Sequence, residues 1–584
     1  MALPPAAERS LLLPNAGSYA FDKIDSPLPF QRKTMNGLSN YDSASQNGGY
    51  TLMFVGKLNL SSRLLFICIL FLMAACSGSE SDPGDAGQQT ALLSDDQKEA
   101  FARQYCTGCH TFPQPELLDK NTWLTQTLPA MGPHLGIRQF AGETYPLDES
   151  PALPENFYPE EAVIDSSTWQ AILDYYESEA PERFDYPEPD YSIEEADRFF
   201  VPKRPSYRTN SDPMVSAVKI DGANNLIYLA DATIQKLLVF NASLEIEASI
   251  DVPSPISDIQ FLNPDDASGR REMLLTHIGN VSPSDALDGS IISGWFDPET
   301  SRGNFNTVIL DNVRRPVETL ISDLNGDGLD DLLVSEFGHR LGSLFWLKNN
   351  GTGYDTLRQT LNRTPGCIKS RVTDFTGNGR PDVLALCTQL DQRLYLYENM
   401  GDDSFIASTL LQFPISAGSS SFDFVDINGD GHPDILYTSG DNADYSIIYK
   451  PYHGVYLYLN DGKNNFSEEW FYPINGAYRA IGGDFNRDGL MDIVVTSFFA
   501  DYARNPREGF VFFENRGGMD FRPFHPQASS YGRWIAMDTG DVTGNGRDDI
   551  VLANFSRGPT KVLPQIEAIL TQSPHLLLLE NRSE

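Results

Sequence analysis

Basic side chains are scarce in this sequence. Its 43 Lys and Arg residues stand against 80 Asp and Glu residues, which gives a formal net charge of −37 at pH 7. A chain this acidic repels phosphate backbones and anionic membrane surfaces. We therefore expect no nucleic acid among its partners.

Several enzyme signatures are also missing from the sequence. It contains no GxSxG, no HExxH and no Gly-rich phosphate loop after a strand, so the motifs do not point to a serine hydrolase, a zinc protease or a nucleotide enzyme. The motifs leave open whether the chain is an enzyme, and we favour an electron carrier over an enzyme that converts a substrate.

Long hydrophobic runs are absent as well. The apolar run over residues 64–75 is too short to cross a bilayer but is typical of an export signal. Lys57 and Arg63 precede it, and it ends in Met73-Ala74-Ala75-Cys76. This ending resembles a bacterial lipoprotein signal, which implies lipidation of Cys76 and a periplasmic or outer-membrane location. An uncleaved anchor or an ordinary secretion signal would also place the rest of the chain outside the cytoplasm.

The position of this signal suggests how the first 93 residues are divided. Residues 1–52 show no periodicity and read as an over-extended reading frame or a disordered extension, with Met53 as the start. Residues 53–76 form the predicted signal peptide. Residues 77–93, rich in Ser, Gly, Asp and Gln, read as a flexible tether.

Cysteine is rare, with six residues in the chain. Cys68 and Cys76 belong to the signal region. Cys367 and Cys387 flank one repeated loop and are predicted to face each other on neighbouring strands, as a disulfide or as two buried thiols. The other two cysteines lie in Cys106-Thr107-Gly108-Cys109-His110.

Residues 94–180 are predicted to form a small all-α domain. Ser94 and Gln97 fit a capping box at the start of a helix that runs into Cys106. A second helix is predicted over residues 166–178, where Trp169, Ile172 and Tyr176 recur at helical spacing.

The motif from Cys106 to His110 is typical of covalent haem attachment. Two thiols at this spacing reach the two haem vinyl groups, and the adjacent imidazole of His110 becomes the proximal iron ligand. A redox CxxC or half of a zinc site are the alternatives. For the sixth ligand we favour Met131, with His134 or an open position as rivals. The region resembles cytochrome c domains fused to repeat propellers in bacterial exported proteins, which implies one haem c.

A Pro-rich, charged linker is predicted over residues 181–208, and short β-type segments follow. An acidic loop of the form Asp-x-(Asn/Thr)-x-(Asp/Asn)-Gly-x-x-Asp then recurs five times, at spacings of 51, 52, 58 and 57 residues. In each repeat a first strand leads into the loop and a second, apolar strand leaves it. A third and a fourth strand then complete the repeat. Four antiparallel strands per repeat are typical of a propeller blade. With two upstream units, residues 209–584 are predicted to form an all-β seven-bladed propeller, closed by a strand from around residues 197–206.

The repeated loops place oxygen side chains at alternate positions around a sharp Gly turn, as hard cations require. The predicted ligand sets are Asp323, Asn325, Asp327, Asp331; Asp374, Thr376, Asn378, Asp382; Asp426, Asn428, Asp430, Asp434; Asp484, Asn486, Asp488, Asp492; and Asp541, Thr543, Asn545, Asp549. The second and fifth sets carry fewer acids and are expected to bind more weakly. The pattern resembles the FG-GAP or VCBS repeats of integrin alpha-subunit propellers, which implies up to five structural Ca²⁺ ions.

Other polar residues are weaker candidates. Arg371, Arg479 and Arg533 lie on or near innermost strands, so they either line the central tunnel and bind an anion or are satisfied by neighbouring blades. Glu336 and His339 follow a second strand and face either a top-surface pocket or solvent.

Three functions remain open at this point. The favoured one is an exported, membrane-anchored monohaem cytochrome that passes single electrons to a redox partner protein or exported oxidoreductase, with the propeller as scaffold. The second is a propeller-based, quinoprotein-like dehydrogenase that uses the haem as electron acceptor. The third is a surface adhesion or glycan-binding protein.

Overall fold

The computed structural model describes residues 93–583, except 149, 187–193, 196–197, 263–269, 444–445, 447 and 559–561. The predicted extension, the signal peptide with Cys76 and nearly all of the tether lie outside the described residues. Within Gln89–Glu584 the chain forms one compact unit. No helix in the described ranges has both the length and the hydropathy that a membrane crossing requires.

The first part, here called the helical region (residues 93–186), contains four α-helices. They are α1 (Asp95–Cys106), α2 (Lys120–Thr122), α3 (Leu128–Met131) and α4 (Ser166–Glu179), with 3-10 turns at Pro115–Leu117 and Gly132–Leu135, a π turn at Trp123–Thr127 and a small strand pair, β1 (Gln139–Phe140) and β2 (Glu143–Thr144). The capping box predicted at Ser94 and Gln97 is present at the start of α1. Two short strands follow, β3 (Glu194–Glu195) and β4 (Phe200–Lys203).

The helical region has its own apolar core. Trp123, Trp169 and Tyr176 are almost fully buried in it, and the rings of Trp123 and Tyr176 lie 4.4 Å apart. The helical spacing of Trp169, Ile172 and Tyr176 puts all three on the buried face of α4. Aromatic side chains thus supply most of the apolar area that holds these short helices together.

Seven sheets follow in the described part of the chain. Blade 1 contains β5 (Val215–Asp221), β6 (Leu226–Asp231), β7 (Lys236–Asn241) and β8 (Ile246–Asp251); blade 2 contains β9 (Ile256–Phe261), β10 (Arg271–His277), β11 (Gly289–Asp297) and β12 (Arg302–Val313); blade 3 contains β13 (Pro316–Ser322), β14 (Asp331–Glu336), β15 (Ser343–Leu347) and β16 (Gln359–Asn362); blade 4 contains β17 (Cys367–Thr373), β18 (Asp382–Cys387), β19 (Arg393–Gly401) and β20 (Ser404–Gln412).

The remaining blades complete the set. Blade 5 contains β21 (Ser419–Val425), β22 (Asp434–Ser439), β23 (Gly454–Asn460) and β24 (Phe466–Pro473); blade 6 contains β25 (Ala477–Gly483), β26 (Asp492–Ser497), β27 (Phe510–Asn515) and β28 (Phe521–His525), with β3 added in parallel; blade 7 contains β29 (Trp534–Gly540), β30 (Asp549–Asn554), β31 (Leu576–Asn581) and β4. Helix α5 (Pro564–Gln572) lies between β30 and β31.

The blades form a closed ring. Each first strand contacts the first strands of the two neighbouring blades, and β29 of blade 7 contacts β5 of blade 1. Every residue of β6, β14, β18, β22, β26 and β30 is buried. These second strands are covered on both faces by adjacent blades, which explains why their sequences are continuous apolar runs. The prediction of a seven-bladed β-propeller is confirmed.

The closure of the ring is also confirmed. Strand β4 pairs antiparallel with β31 of blade 7, with Phe200 opposite Asn581 and Lys203 opposite Leu578. The closing strand thus lies inside the segment predicted as a linker, and its pairing removes the open edge that blade 7 would otherwise expose.

Cys367 and Cys387 lie opposite each other on β17 and β18 and are bonded as a disulfide. Of the two alternatives that their spacing allowed, the structure contains the disulfide. Both residues are buried in the core between blades 3 and 4.

Candidate functional site

The Cys-x-x-Cys-His motif lies at the end of α1. Cys106 is the last residue of that helix and is partly buried, whereas Cys109 is exposed, and both thiols are free. Burial raises the pKa of the Cys106 thiol to about 11, and a hydrogen bond with Tyr176 opposes this shift. The two thiols are thus available on one turn of chain, and neither is consumed in a disulfide.

The imidazole of His110 is oriented by its own backbone. Its Nδ1 atom lies 2.7 Å from the carbonyl oxygen of Thr111. The tautomer that donates a hydrogen from Nδ1 to this carbonyl leaves the Nε2 lone pair free, which is the usual arrangement of a metal-ligating histidine. The donor set of two free thiols and one oriented imidazole fits covalent haem c.

Two buried aromatic side chains hold the segment that follows the motif. The Tyr176 hydroxyl donates to the Pro113 carbonyl at 2.8 Å, and Trp123 Nε1 donates to the Pro115 carbonyl at 2.8 Å. Both aromatic side chains are buried in the core of the helical region. The chain after His110 is therefore held by hydrogen bonds that its own sequence neighbourhood does not reveal.

Met131 and His134 lie on consecutive short turns. Met131 ends α3 and is partly buried, and His134 lies in the 3-10 turn Gly132–Leu135. The pKa of His134 is lowered to about 4 by burial first, then by the charges of Arg340 and His110. Both predicted sixth ligands thus lie in the short turns that follow the π turn Trp123–Thr127.

The helical region docks on one face of the propeller. Thr111 N donates to Asp391 Oδ1 at 3.0 Å, and Tyr452 donates to the Leu117 carbonyl at 2.7 Å. Asp148 Oδ2 lies 3.4 Å from both His339 Nε2 and Arg340 Nε. These propeller residues all belong to loops between second and third strands. The haem-type motif is thus fixed directly to this face, through the residue next to His110.

The five acidic loops share one geometry between their first and second strands. In the first loop, Asp323 Oδ1 accepts from Gly326 N and Asp327 N, and its Oδ2 accepts from Gly328 N at 2.9 Å. Gly326 and Gly328 have φ values of 76° and 85°, which favour glycine. The first aspartate of the other four loops makes the same kind of contacts.

The last aspartate of each loop is fully buried at the start of a second strand. These residues are Asp331, Asp382, Asp434, Asp492 and Asp549. Burial raises the pKa of Asp331, and the charges of Asp327 and Asp323 raise it further. The two oxygens of Asp331 accept from Leu324 N at 3.0 Å and Asn349 N at 2.8 Å. A cation at the loop would relieve the crowding of negative charge.

Each loop has one further hydrogen-bonding partner that we did not predict from the sequence. An asparagine within two residues of the end of the third strand donates its backbone N–H to the buried aspartate and its side-chain amide to the carbonyl of the residue before that aspartate. These residues are Asn349, Asn399, Asn460, Asn515 and Asn581. Their recurrence after an aromatic or leucine-rich strand in five repeats was the available signal.

The predicted ligands of each loop are close in sequence and share one turn. Over the described residues, however, no group of three or more His, Cys, Asp or Glu side chains is arranged to hold a metal ion. A grouping of this kind does not count the asparagine and threonine oxygens that the predicted ligand sets include. The loops thus contain the expected donors, with their carboxylates turned onto backbone N–H groups.

The central channel of the propeller contains a cavity of about 320 Å³ on the face that carries the helical region. Of the three candidate arginines, Arg479 lines it, whereas Arg371 is exposed elsewhere. Arg533 is buried, with Nε donating to the Phe498 carbonyl and the guanidinium lying over Tyr502. His339 lines the cavity, but Glu336 is buried and accepts from Arg314 N and Ser343.

Comparison with known proteins agrees with this geometry for the propeller. The FG-GAP-like repeat profile matches residues 323–385, 374–437 and 440–495. The chain therefore carries FG-GAP-like repeats within a seven-bladed β-propeller. No curated protein sequence matches the chain.

The chain also shows low similarity to solved structures, among them Sqt1 of Saccharomyces cerevisiae, with a TM-score of 0.41 and 8% identity over 65% of this chain and 98% of that one. BBS1N in complex with ARL6DN, soaked with lead, gives a TM-score of 0.39 at 8% identity, over 66% and 98%. The mercury-soaked form of that complex gives 0.38 at 10% identity, over 66% and 97%.

Proposed function

We propose that this chain is an exported, lipid-anchored monohaem c-type cytochrome, in which a calcium-stabilised propeller serves as scaffold and docking module. One observation carries the proposal. The free thiols of Cys106 and Cys109 adjoin an imidazole, that of His110, whose Nδ1 is engaged by a backbone carbonyl.

In this proposal Cys106 and Cys109 would hold the haem covalently and His110 Nε2 would bind its iron, with Met131, His134 or no side chain as the further ligand. The haem, when bound, supplies one-electron chemistry. The Thr111 carbonyl keeps the imidazole in the ligating tautomer, and Asp391 holds the Thr111 backbone against blade 4. Tyr176 and Trp123 exclude water beneath the motif because both side chains are buried there.

The direct test is an absorption spectrum of the full chain made together with haem-maturation machinery. We expect a covalently attached Soret band that denaturation and extraction do not remove. Replacing both cysteines, Cys106→Ala and Cys109→Ala, abolishes the covalent band, whereas the matched control Thr107→Ala, inside the same motif, retains it. A wild-type protein without covalent haem would refute the cytochrome proposal.

The sixth ligand is tested by a matched pair of variants. Met131→Ala and His134→Ala are each measured by visible spectrum and reduction potential. We favour Met131, so only Met131→Ala should shift the spectrum and lower the potential. A shift confined to His134→Ala would assign the ligand to histidine, and no shift in either variant would indicate an open position.

The membrane and partner assignments follow from the same proposal. Lipidation of Cys76 would anchor the protein in the periplasm or at the outer membrane, where a redox partner protein or exported oxidoreductase exchanges electrons with it. The buried Cys367–Cys387 disulfide supports an oxidising compartment. Metabolic labelling with a fatty acid tests the anchor: a mature N-terminus before residue 76, or no label, would refute it.

A propeller-based dehydrogenase is the second candidate. It is favoured by the position of the channel cavity, which opens among the same loops that hold the helical region. Substrate-dependent reduction of the haem by the purified chain alone would distinguish this enzyme from a simple electron carrier.

A further inference from the structure

The wall of the central channel repeats one backbone irregularity in all seven blades. The innermost strand of each blade carries a register shift that leaves one residue unpaired. All seven unpaired residues line the cavity, for example Ser216, Val317 and Tyr478. Bulges of this kind commonly redirect side chains next to binding sites.

The residue after each bulge forms a second ring around the channel. Its members, in blade order, are Ala217, Asp258, Glu318, Lys369, Ser421, Arg479 and Ala536. All but Ala217 line the cavity. The acids are confined to blades 2 and 3, and the bases to blades 4 and 6, so the two charge types lie on different sides of the channel.

Most of these charges are satisfied within the protein. Lys369 Nζ lies 2.5 Å from Glu318 Oε1, and the other oxygen of Glu318 accepts from Ser370 N at 2.6 Å. Asp258 accepts from Thr319 N and from Gln260. Their charges therefore contribute little to attracting a ligand.

Arg479 is different from the other charged members of the ring. It is partly buried against the cavity, and its guanidinium makes no hydrogen bond or ion pair with the described residues. A partly buried guanidinium without a counter-ion is electrostatically unfavourable, and a carboxylate is the partner that fits its planar donor fork.

We infer that this cavity binds a small organic monocarboxylate, with Arg479 as the charge partner of its carboxylate group. The cavity size is at the lower end of ligand pockets, which limits the occupant to a small molecule. Phe337, Phe555 and Ile278 provide apolar wall area for the body of the ligand. Inorganic phosphate has no apolar body to pack against this wall, so it is disfavoured relative to an organic carboxylate.

The test is calorimetric titration of the calcium-loaded full chain with benzoate, with benzyl alcohol as its neutral counterpart and with inorganic phosphate. We expect benzoate to bind with a Kd of roughly 0.1–1 mM and the other two probes to bind at least about tenfold more weakly. Equal binding of benzyl alcohol, tighter binding of phosphate, or no binding of benzoate at about 10 mM would overturn the inference.

Variants locate the site. Arg479→Gln should weaken benzoate binding by roughly tenfold or more, because a charge-assisted hydrogen bond is lost. The matched control Arg371→Gln, an exposed arginine on another innermost strand, should leave binding unchanged. Ala536→Glu keeps Arg479 but adds a carboxylate to the neighbouring blade of the ring, and it should also abolish binding. Retained binding in both Arg479→Gln and Ala536→Glu, each checked for an unchanged melting temperature, would overturn the assignment.

Discussion

In five of the blades the second strand begins with a buried aspartate, whereas in blade 2 the same position holds Arg271. Arg271 donates through two nitrogens to Asp221 of blade 1, at 2.7 and 2.8 Å, and both side chains are 2–3% exposed. Blades 1 and 2 thus neutralise a buried acid with an arginine from the adjacent blade.

Blades 3 to 7 have no such arginine at this position. Their buried aspartates rely on backbone N–H donors, and further acids of the same loop lie close by. An acidic edge between two blades thus needs a positive charge, and the protein obtains this charge in two ways. In one part the charge is a side chain, and in the other we propose that it is Ca²⁺.

Removal of calcium should have the largest effect on the stability of blades 3 to 7. With five loops affected, we expect the melting temperature to fall by about 10 °C or more in excess chelator. Hydrogen exchange should show lost protection in β14, β18, β22, β26 and β30 and little change in β5, β6 and β10. A melting temperature that chelator leaves unchanged would contradict the calcium assignment, and added Ca²⁺ rather than Mg²⁺ should restore it.

The opposite experiment targets blades 1 and 2. Arg271→Met leaves the buried carboxylate of Asp221 without a positive partner, with only hydrogen bonds from Asn224, which should cost about 3 kcal/mol of unfolding free energy. The double variant Arg271→Met with Asp221→Asn should recover part of this loss, since no bare charge remains. Chemical denaturation in saturating calcium measures both, and a single variant as stable as wild type would show that the pair is not needed.

A buried acid outside the five acidic loops should make the stability of the protein depend on pH but not on calcium. Burial raises the pKa of Glu508, in the loop between β26 and β27, to about 7, despite hydrogen bonds from Asn475. In the folded state this carboxyl keeps its proton up to a higher pH than in the unfolded chain. Its contribution to stability is therefore fully present at acidic pH and is lost as the pH rises from about 4.5 to about 7.

Glu508→Gln tests this dependence. At pH 8 the variant should be more stable than wild type by about 2 kcal/mol, and the difference should vanish towards pH 4.5. Denaturation across this range in saturating calcium makes the comparison, because the loop aspartates are present in both proteins. A difference that does not vary with pH would contradict the assignment.

The smallest expected effect concerns the asparagines that follow the third strands. In blade 5, Asn460 supports the acidic loop through the Pro433 carbonyl, while Asn241 in blade 1 donates to the side chain of Glu247. Asn460→Ala should cost about 1 kcal/mol and weaken calcium binding. Asn241→Ala is the matched control: it removes the contacts of Asn241 with Ser243 N and Glu245 N, so it should also lower stability, but it should leave calcium binding unchanged. Equal effects of the two substitutions would show that the asparagine acts through its turn alone.

Local repetition explains why the propeller was predictable from the sequence. Strands, turns and acidic loops recur at a nearly constant spacing, and each is encoded within a few residues. Contacts between distant segments carry no such signal. The pairing of Arg271 with Asp221 and the docking of Thr111 on Asp391 join residues from different repeats or domains.

The candidate arginines illustrate the same limit. Arg371, Arg479 and Arg533 occupy similar positions in the sequence pattern, but they differ in the structure. The guanidinium of Arg533 packs over the rings of Phe498 and Tyr502. Arg479 follows a bulge, and its side chain lines the channel. The bulge and the long loop between β26 and β27 decide these positions, and neither is visible in residue periodicity.

The strand β4 that completes blade 7 also constrains how the protein is made. The ribosome synthesises β4 before blades 1 to 6, and its partner β31 emerges only after all of them. Until then β4 lacks its hydrogen-bonding partner, and the ring stays open at blade 7. The motif from Cys106 to His110 precedes β4, so it is synthesised before the ring can close.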